Sequence, residues 1–140
     1  MAETFRTTRR VEFHDTDAAG IMHFAAYFDF MEEAEHEFLR HVGLSVMTED
    51  AQGTIGWPRV QANCDYLRPV RFEYELSIDV SISQLGGKSV TYVFELAHEQ
   101  RPVARGSMTS VCCRILPGTK PQSMAIPDDF LHRLGPYVRP

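Results

Sequence analysis

The sequence predicts an α+β domain in which one antiparallel sheet wraps around a single long helix. Three observations predict it. Apolar residues recur with a helical period in one long stretch only, residues 23–42. They alternate with period two through almost everything after Gly56, and Gly- or Pro-bearing turns separate the alternating runs at hairpin spacing. The chain has 140 residues, 44% of them hydrophobic and 24% charged, which suits one globular domain spanning 1–140. A chain of this size buries roughly two-thirds of its unfolded surface, enough for one core without staples.

Residues 5–13 read as the first strand, followed by a polar turn from His14 to Gly20. Over 23–42, Phe24, Tyr27, Phe28, Met31, Ala34, Phe38, Leu39 and Val42 fall at i, i+3, i+4 and i+7, the spacing of an amphipathic helix. Asp29, Glu32, Glu33, His36, Glu37 and Arg40 take its other face, and Gly43 supplies the stop. At 1.5 Å per residue such a helix is about 30 Å long. Downstream, Val60, Ala62, Cys64 and Tyr66 are set on one side of a strand, with Arg59, Gln61, Asn63 and Asp65 on the other. Tyr74 to Ile82 repeats the alternation. Gly86-Gly87 then turns the chain into Val90, Tyr92, Phe94 and Leu96. A second turn at Glu99–Pro102 leads into 103–116, apolar on both faces and therefore expected at the centre of the sheet. Residues 117–126 form a connection and 127–134 a short terminal helix. One helix covers only one sheet face, so the other is expected to meet a second copy.

Several function classes are excluded. Lys+Arg number 14 against 19 Asp+Glu, net −5, with no basic stripe for nucleic acid. No apolar run approaches the ~18 residues of a membrane span, and the first ten residues lack the apolar core of a secretory signal. Three cysteines, Cys64 and the adjacent Cys112 and Cys113, suit reduced thiols in the cytoplasm. Gly87-Lys88-Ser89 ends like a phosphate-binding loop, but Ile82 stands where its first glycine belongs. Asp15-x-Asp17 opens like a calcium loop, yet Ala26 occupies the position of the bidentate glutamate. His36-Glu37 is followed by His41, one residue too late for two imidazoles to share a zinc ion, and no metal site is expected.

The run Asp15-Thr-Asp17-Ala-Ala-Gly20, just before the helix, holds the remaining chemistry. A helix N-terminus offers unpaired N–H groups and a partial positive charge. There a carboxylate can attack, or activate water, while a backbone N–H stabilises the developing oxyanion. The same residues also suit a plain Asp-rich helix cap.

Val11-Glu-Phe-His-Asp-Thr-Asp-Ala-Ala-Gly-Ile-Met-His-Phe-Ala-Ala-Tyr27 resembles the signature of the 4-hydroxybenzoyl-CoA thioesterase family of hotdog-fold proteins. The likeness continues through Phe30-Met-Glu32, Glu37, Gly43-Leu44 and Asp65–Val70. It implies a five-stranded antiparallel sheet around one helix and hydrolysis of an acyl-CoA to free acid and CoA, with no metal or organic cofactor. Asp17 is the implied catalytic carboxylate, as nucleophile or general base, and Asp15 is structural. The implied oxyanion donor is the Phe24 N–H, with Gly20 giving close access. His23 precedes the aromatic where some relatives place a histidine after it, which leaves it a polar role at the site or a capping one. Glu32, Tyr27 and Trp57 are the implied substrate-binding residues, an aromatic at Trp57 favouring a flat or branched acyl group. Each is equally at home as an ordinary surface or core residue. Lys88 and Ser89 resemble a CoA-binding pair, or form a solvated hairpin tip. Edge-to-edge dimers, paired into a homotetramer, are implied, with Asp17 facing Trp57–Asn63 of the other copy. A non-hydrolytic module for acyl-CoA or acyl carrier protein, and a hotdog hydratase, are the alternatives.

Overall fold

The alternation read after Gly56 builds four strands that join the first strand in one five-stranded sheet, and the helical stretch packs on one face of it. The computed structural model describes residues 2–140. β1 (Phe5–Arg10) precedes α1 (Ala26–His41); β2 (Thr48–Asp50), β3 (Gly53–Gly56), β4 (Arg59–Tyr66), β5 (Glu75–Leu85), β6 (Ser89–His98), β7 (Arg101–Val111), β8 (Cys113–Ile115), β9 (Gln122–Ser123) and α2 (Asp128–Leu134) follow. The main sheet runs β1-β5-β6-β7-β4, antiparallel throughout. This is the hotdog arrangement. Met31, Ala34, Phe38 and Leu39 of α1 pack on Leu76, Ile78, Val80, Phe94 and Leu96 of the sheet, every one at most 2% exposed. No helix among the described residues is long and apolar enough to cross a membrane.

Several boundaries differ from the sequence reading, each for a local reason. β1 stops at Arg10, and Phe13–Asp15 form one 3₁₀ turn, because the Asp15 carboxylate accepts the Glu12 N–H at 2.8 Å and curls the chain. α1 begins at Ala26 and covers 16 residues, about 24 Å at the helical rise. Phe24 therefore lies before the helix and is 62% exposed. On the helix, Glu35 is buried, whereas Glu33 and Glu37, two residues to either side, reach solvent.

β4 inverts its expected faces at one end. Arg59 pairs with Ser110 and Gln61 with Thr109, so Val60 is an extra residue, a β-bulge. Arg59 consequently turns inward to Glu35, while Val60 points out at 64% exposure. The stretch 103–116 is an interior strand but not the middle one, which is β6: β7 lies between β6 and the edge strand β4, and the stretch breaks at Cys112, where the chain crosses into a small sheet, β2-β3-β8-β9, that periodicity did not reveal. The expected apolar outer face is not there along β7. Arg105, Ser107 and Thr109 occupy it, because the apolar residues Cys113 and Ile115 have left for the small sheet.

β7 meets the helix through a glycine. A Cβ on Gly106 would collide with Met31 Sδ and stand 2.8 Å from the Asn63 carbonyl oxygen. Gly106→Ala is therefore expected to destabilise the fold by about 1–3 kcal/mol, since neither the helix nor β4 can retreat without opening the core. Urea unfolding reads this; an unchanged midpoint would contradict the packing.

Candidate active site

The loop between β1 and α1 is fixed at both ends. Val11 donates its N–H to the Tyr74 carbonyl and accepts from Glu73, both at 2.8 Å. Met22 donates to the Val70 carbonyl at 2.8 Å. Buried Asp15 holds the middle: besides binding Glu12 through its carboxylate, its carbonyl accepts the His23 N–H at 2.7 Å. That is the structural part the resemblance implies for it. Thr16 and Met22 then pair across a tight turn. In this turn Asp17 donates its N–H to Ile21 and accepts from Gly20, both at 2.9 Å. Gly20 has φ +80°, a conformation a side chain would strain.

The turn exposes Asp17. Its Oδ1 accepts the Ala19 N–H at 2.8 Å, and Oδ2 has no partner among the described residues. Across from it, the helix begins without a side-chain cap. The Phe24 N–H likewise finds no acceptor among the described residues, while the Phe24 carbonyl accepts the Tyr66 hydroxyl at 2.9 Å. This bond fixes the peptide at the positive end of the α1 dipole, where a developing negative charge is favoured. Asp17, Ile21, Met22, Phe24, Tyr27, Tyr66, Leu67, Arg68 and Pro69 enclose a cleft of about 440 Å³. Tyr27 and Tyr66 meet edge-to-face, ring centres 4.9 Å apart. Burial pushes the Tyr27 phenol up to about 12, so this wall is uncharged at neutral pH. A second cleft, about 620 Å³, lies against the same aspartate.

Asp17, Gly20, Phe24 and Tyr27 are thus brought together around these clefts. His23 stands beside them without lining either one; its ring is exposed and packs on Phe24 at 4.6 Å. It caps nothing with its side chain. The remaining sequence-implied residues lie elsewhere within one protomer. Glu32 binds Arg59 at 3.2 Å, at the end of β4 that is seven residues, about 23 Å, from Tyr66. Trp57 packs on Phe130 with ring centres 5.3 Å apart. Lys88 and Ser89 sit at the β5–β6 hairpin, which the strand register places at that same far end. Sequence spacing could not show this, because strand register decides which ends meet.

Tyr66, Leu67 and Arg68 were not picked out as site residues, although the motif from Asp65 to Val70 was the available signal. Also missed was the buried cluster in which Arg59 binds both oxygens of Glu35, Ser110 Oγ at 3.2 Å, and Glu32.

The thioesterase-like superfamily model matches residues 11–134. The chain is 33% identical over 108 residues to 1,4-dihydroxy-2-naphthoyl-CoA hydrolase of Synechococcus sp. strain WH7803, covering 72% of this chain and 71% of that one. To the acyl-CoA thioester hydrolase YbgC of Escherichia coli O6:H1 it is 28% identical over 109 residues, covering 78% and 81%. Among solved structures, a gentisyl-coenzyme A thioesterase matches with a TM-score of 0.80 at 29% identity, covering 93% of this chain and 99% of that one. The chain belongs to the thioesterase-like superfamily and is a thioester hydrolase of hotdog fold.

Proposed function

We infer that the protein hydrolyses a small aromatic acyl-CoA to the free acid and coenzyme A, using Asp17 and the Phe24 N–H and no metal or organic cofactor. The observation that carries this is the convergence of the open Asp17 carboxylate and the unpartnered Phe24 N–H on one apolar cleft. The thioester carbonyl oxygen would accept the Phe24 N–H. Asp17 would then attack the carbonyl carbon, or take a proton from a water that attacks it. In either case the C–S bond breaks and the thiolate leaves as coenzyme A. In the first case water subsequently hydrolyses the Asp17 acyl anhydride. Three aromatic walls, Phe24, Tyr27 and Tyr66, suit one ring system held edge-to-face. The naphthoyl- and gentisyl-CoA substrates named for two relatives support the aromatic class. Free-thiol release measured across matched aromatic and long-chain aliphatic acyl-CoAs tests the reading. Higher kcat/KM on aromatic substrates is expected; a clear preference for long chains would overturn it.

A homodimer joined through β4 belongs to the same proposal. β4 is a bare sheet edge, with Val60, Ala62 and Tyr66 exposed, whereas charged Arg6, Arg9 and Arg10 guard β1 at the other edge. Antiparallel pairing of two β4 strands would bring the Arg59 end of the partner to the Tyr66 end of the first chain. Trp57, Glu32, Lys88 and Ser89 would then act from the partner subunit. Two such dimers would form the tetramer. Light scattering should give at least two chains per particle; a fully active monomer would refute the shared site. Free Cys64, Cys112 and Cys113 support a reducing, cytoplasmic setting.

A further inference from the structure

Arg68 and Pro69, walls of the cleft that holds Asp17 and Phe24, are also walls of a smaller cleft of about 220 Å³ that Asp17 does not reach. Two guanidiniums, Arg68 and Arg101, share this smaller cleft with the ring of His98. Neither makes an ion pair or a side-chain hydrogen bond among the described residues, whereas Arg6, Arg9 and Arg105 of the same sheet each hold a carboxylate. The acidic residue at the rim, Glu99, lies 3.4 Å from His98 Nε2, so the cleft as a whole is positive. Like charges that share one cleft repel, and a bound anion removes that repulsion.

The walls are fixed before any ligand arrives. Leu67 and Arg68 both donate their N–H to the Val103 carbonyl, at 2.9 and 3.2 Å, which ties the Arg68 backbone to β7. Arg101 follows the two-residue turn Glu99-Gln100, with φ of +49° and +69°, the left-handed geometry of a tight hairpin. Non-glycine residues keep such a conformation only where the surroundings enforce it. His98 stacks on Tyr74 with ring centres 4.1 Å apart and planes within 9°, and its Nδ1 lies 3.1 Å from the Glu75 carbonyl. Val70 and Val103, each 1% exposed, close the bottom. Sites for cofactors and drug-sized ligands run from roughly 300 to 1,000 Å³. A cleft of about 220 Å³ is therefore too small for a nucleoside and suits one compact oxyanion.

We propose that a free phosphate-type oxyanion binds between Arg68 and Arg101, and that it changes which acyl groups the adjoining cleft accepts. The binding site stands on the geometry of the smaller cleft; its effect on acyl groups rests on the acyl-CoA hydrolase reading. A guanidinium presents a planar fork of donors that matches phosphate oxygens. Arg68 belongs to both clefts but has one charge to give. With the smaller cleft empty, that charge is free to meet an anionic substituent on the acyl group. With phosphate bound it is engaged, and the acyl cleft keeps its uncharged walls, Tyr27, Tyr66 and Leu67. Phosphate then favours uncharged acyl groups over anionic ones.

The test titrates inorganic phosphate calorimetrically into the wild type, Arg101→Ala and Arg101→Lys, with ionic strength held constant by sodium chloride. Arg101 is exposed, so the fold should survive, and thermal unfolding checks that it does. The wild type is expected to bind phosphate saturably, Arg101→Ala about tenfold more weakly, and Arg101→Lys in between. No saturable binding by the wild type, or equal binding by Arg101→Ala, overturns the site. Coenzyme A should bind Arg101→Ala as tightly as the wild type; weaker binding would put a phosphate of the substrate here and overturn the free-anion assignment. Hydrolysis of benzoyl-CoA and 4-carboxybenzoyl-CoA reads the effect on acyl groups. Phosphate should raise the ratio of their kcat/KM values, benzoyl over carboxybenzoyl, by about fivefold in the wild type and not in Arg101→Ala. Competition with coenzyme A cancels in that ratio, so an unchanged ratio refutes the coupling. If the wild type hydrolysed neither thioester, the hydrolase reading would fail by itself, and the titration would still decide the site.

Discussion

Asp17→Asn is expected to lower kcat on an aromatic acyl-CoA by about 10²–10⁴-fold, the range for removing a positioned acid–base or nucleophilic group. The substitution keeps the oxygen that accepts the Ala19 N–H at 2.8 Å, so the turn from Asp17 to Gly20 should persist. It removes the carboxylate's negative charge, and with it both the attacking oxygen and the capacity to take a proton from water. Substrate binding should change little, because the walls formed by Tyr27, Tyr66 and Leu67 are untouched. The fall should therefore appear in kcat, with KM nearly constant. Thiol release under saturating substrate measures it, and a variant within twofold of the wild type would remove Asp17 from the chemistry.

The largest expected effect on stability belongs to Arg59. Glu35 has a side chain only 2% exposed, and Arg59 satisfies both its carboxylate oxygens while also reaching Ser110 and Glu32. His36 Nε2, at 3.7 Å, is too far to replace that partner with a hydrogen bond. Arg59→Ala leaves a buried carboxylate without its cation, which costs about 3–5 kcal/mol in comparable pairs. Replacing both members by apolar residues of similar size, Glu35→Leu with Arg59→Met, should recover much of that loss, because neither charge is then desolvated. Urea unfolding of the three variants gives the comparison. A single Arg59→Ala variant as stable as the wild type would show that the pair contributes nothing net.

The helix and the long strands were legible because their periods differ, 3.6 residues against two, and each was sustained over eight or more residues. What escaped was either local and aperiodic or set by pairing across the sheet. The extra residue Val60 shifts the alternation by one position, so Arg59 reads as surface in sequence yet faces the helix. Glu35 looks like one more solvated charge until that shift is known. β2, β3, β8 and β9 are two to four residues long, too short to display a period. Asp15, Asp17, Gly20 and Phe24 could be read as a unit because one short loop holds them. Tyr66 and Phe72 join that loop only through the paths of β4 and of the turn before β5, which no local spacing records.

The structure of the wild type with an aromatic acyl-CoA analogue, its scissile C–S bond replaced by a carbon spacer that keeps the carbonyl, tests the central claim most directly. The carbonyl oxygen should lie within hydrogen-bond distance of the Phe24 N–H, with Oδ2 of Asp17 facing the carbonyl carbon or holding a water against it. The ring should lie against Tyr27 and Tyr66. A carbonyl bound away from Phe24, with Asp17 out of reach of the reacting carbon, would contradict the assignment of this loop as the catalytic centre.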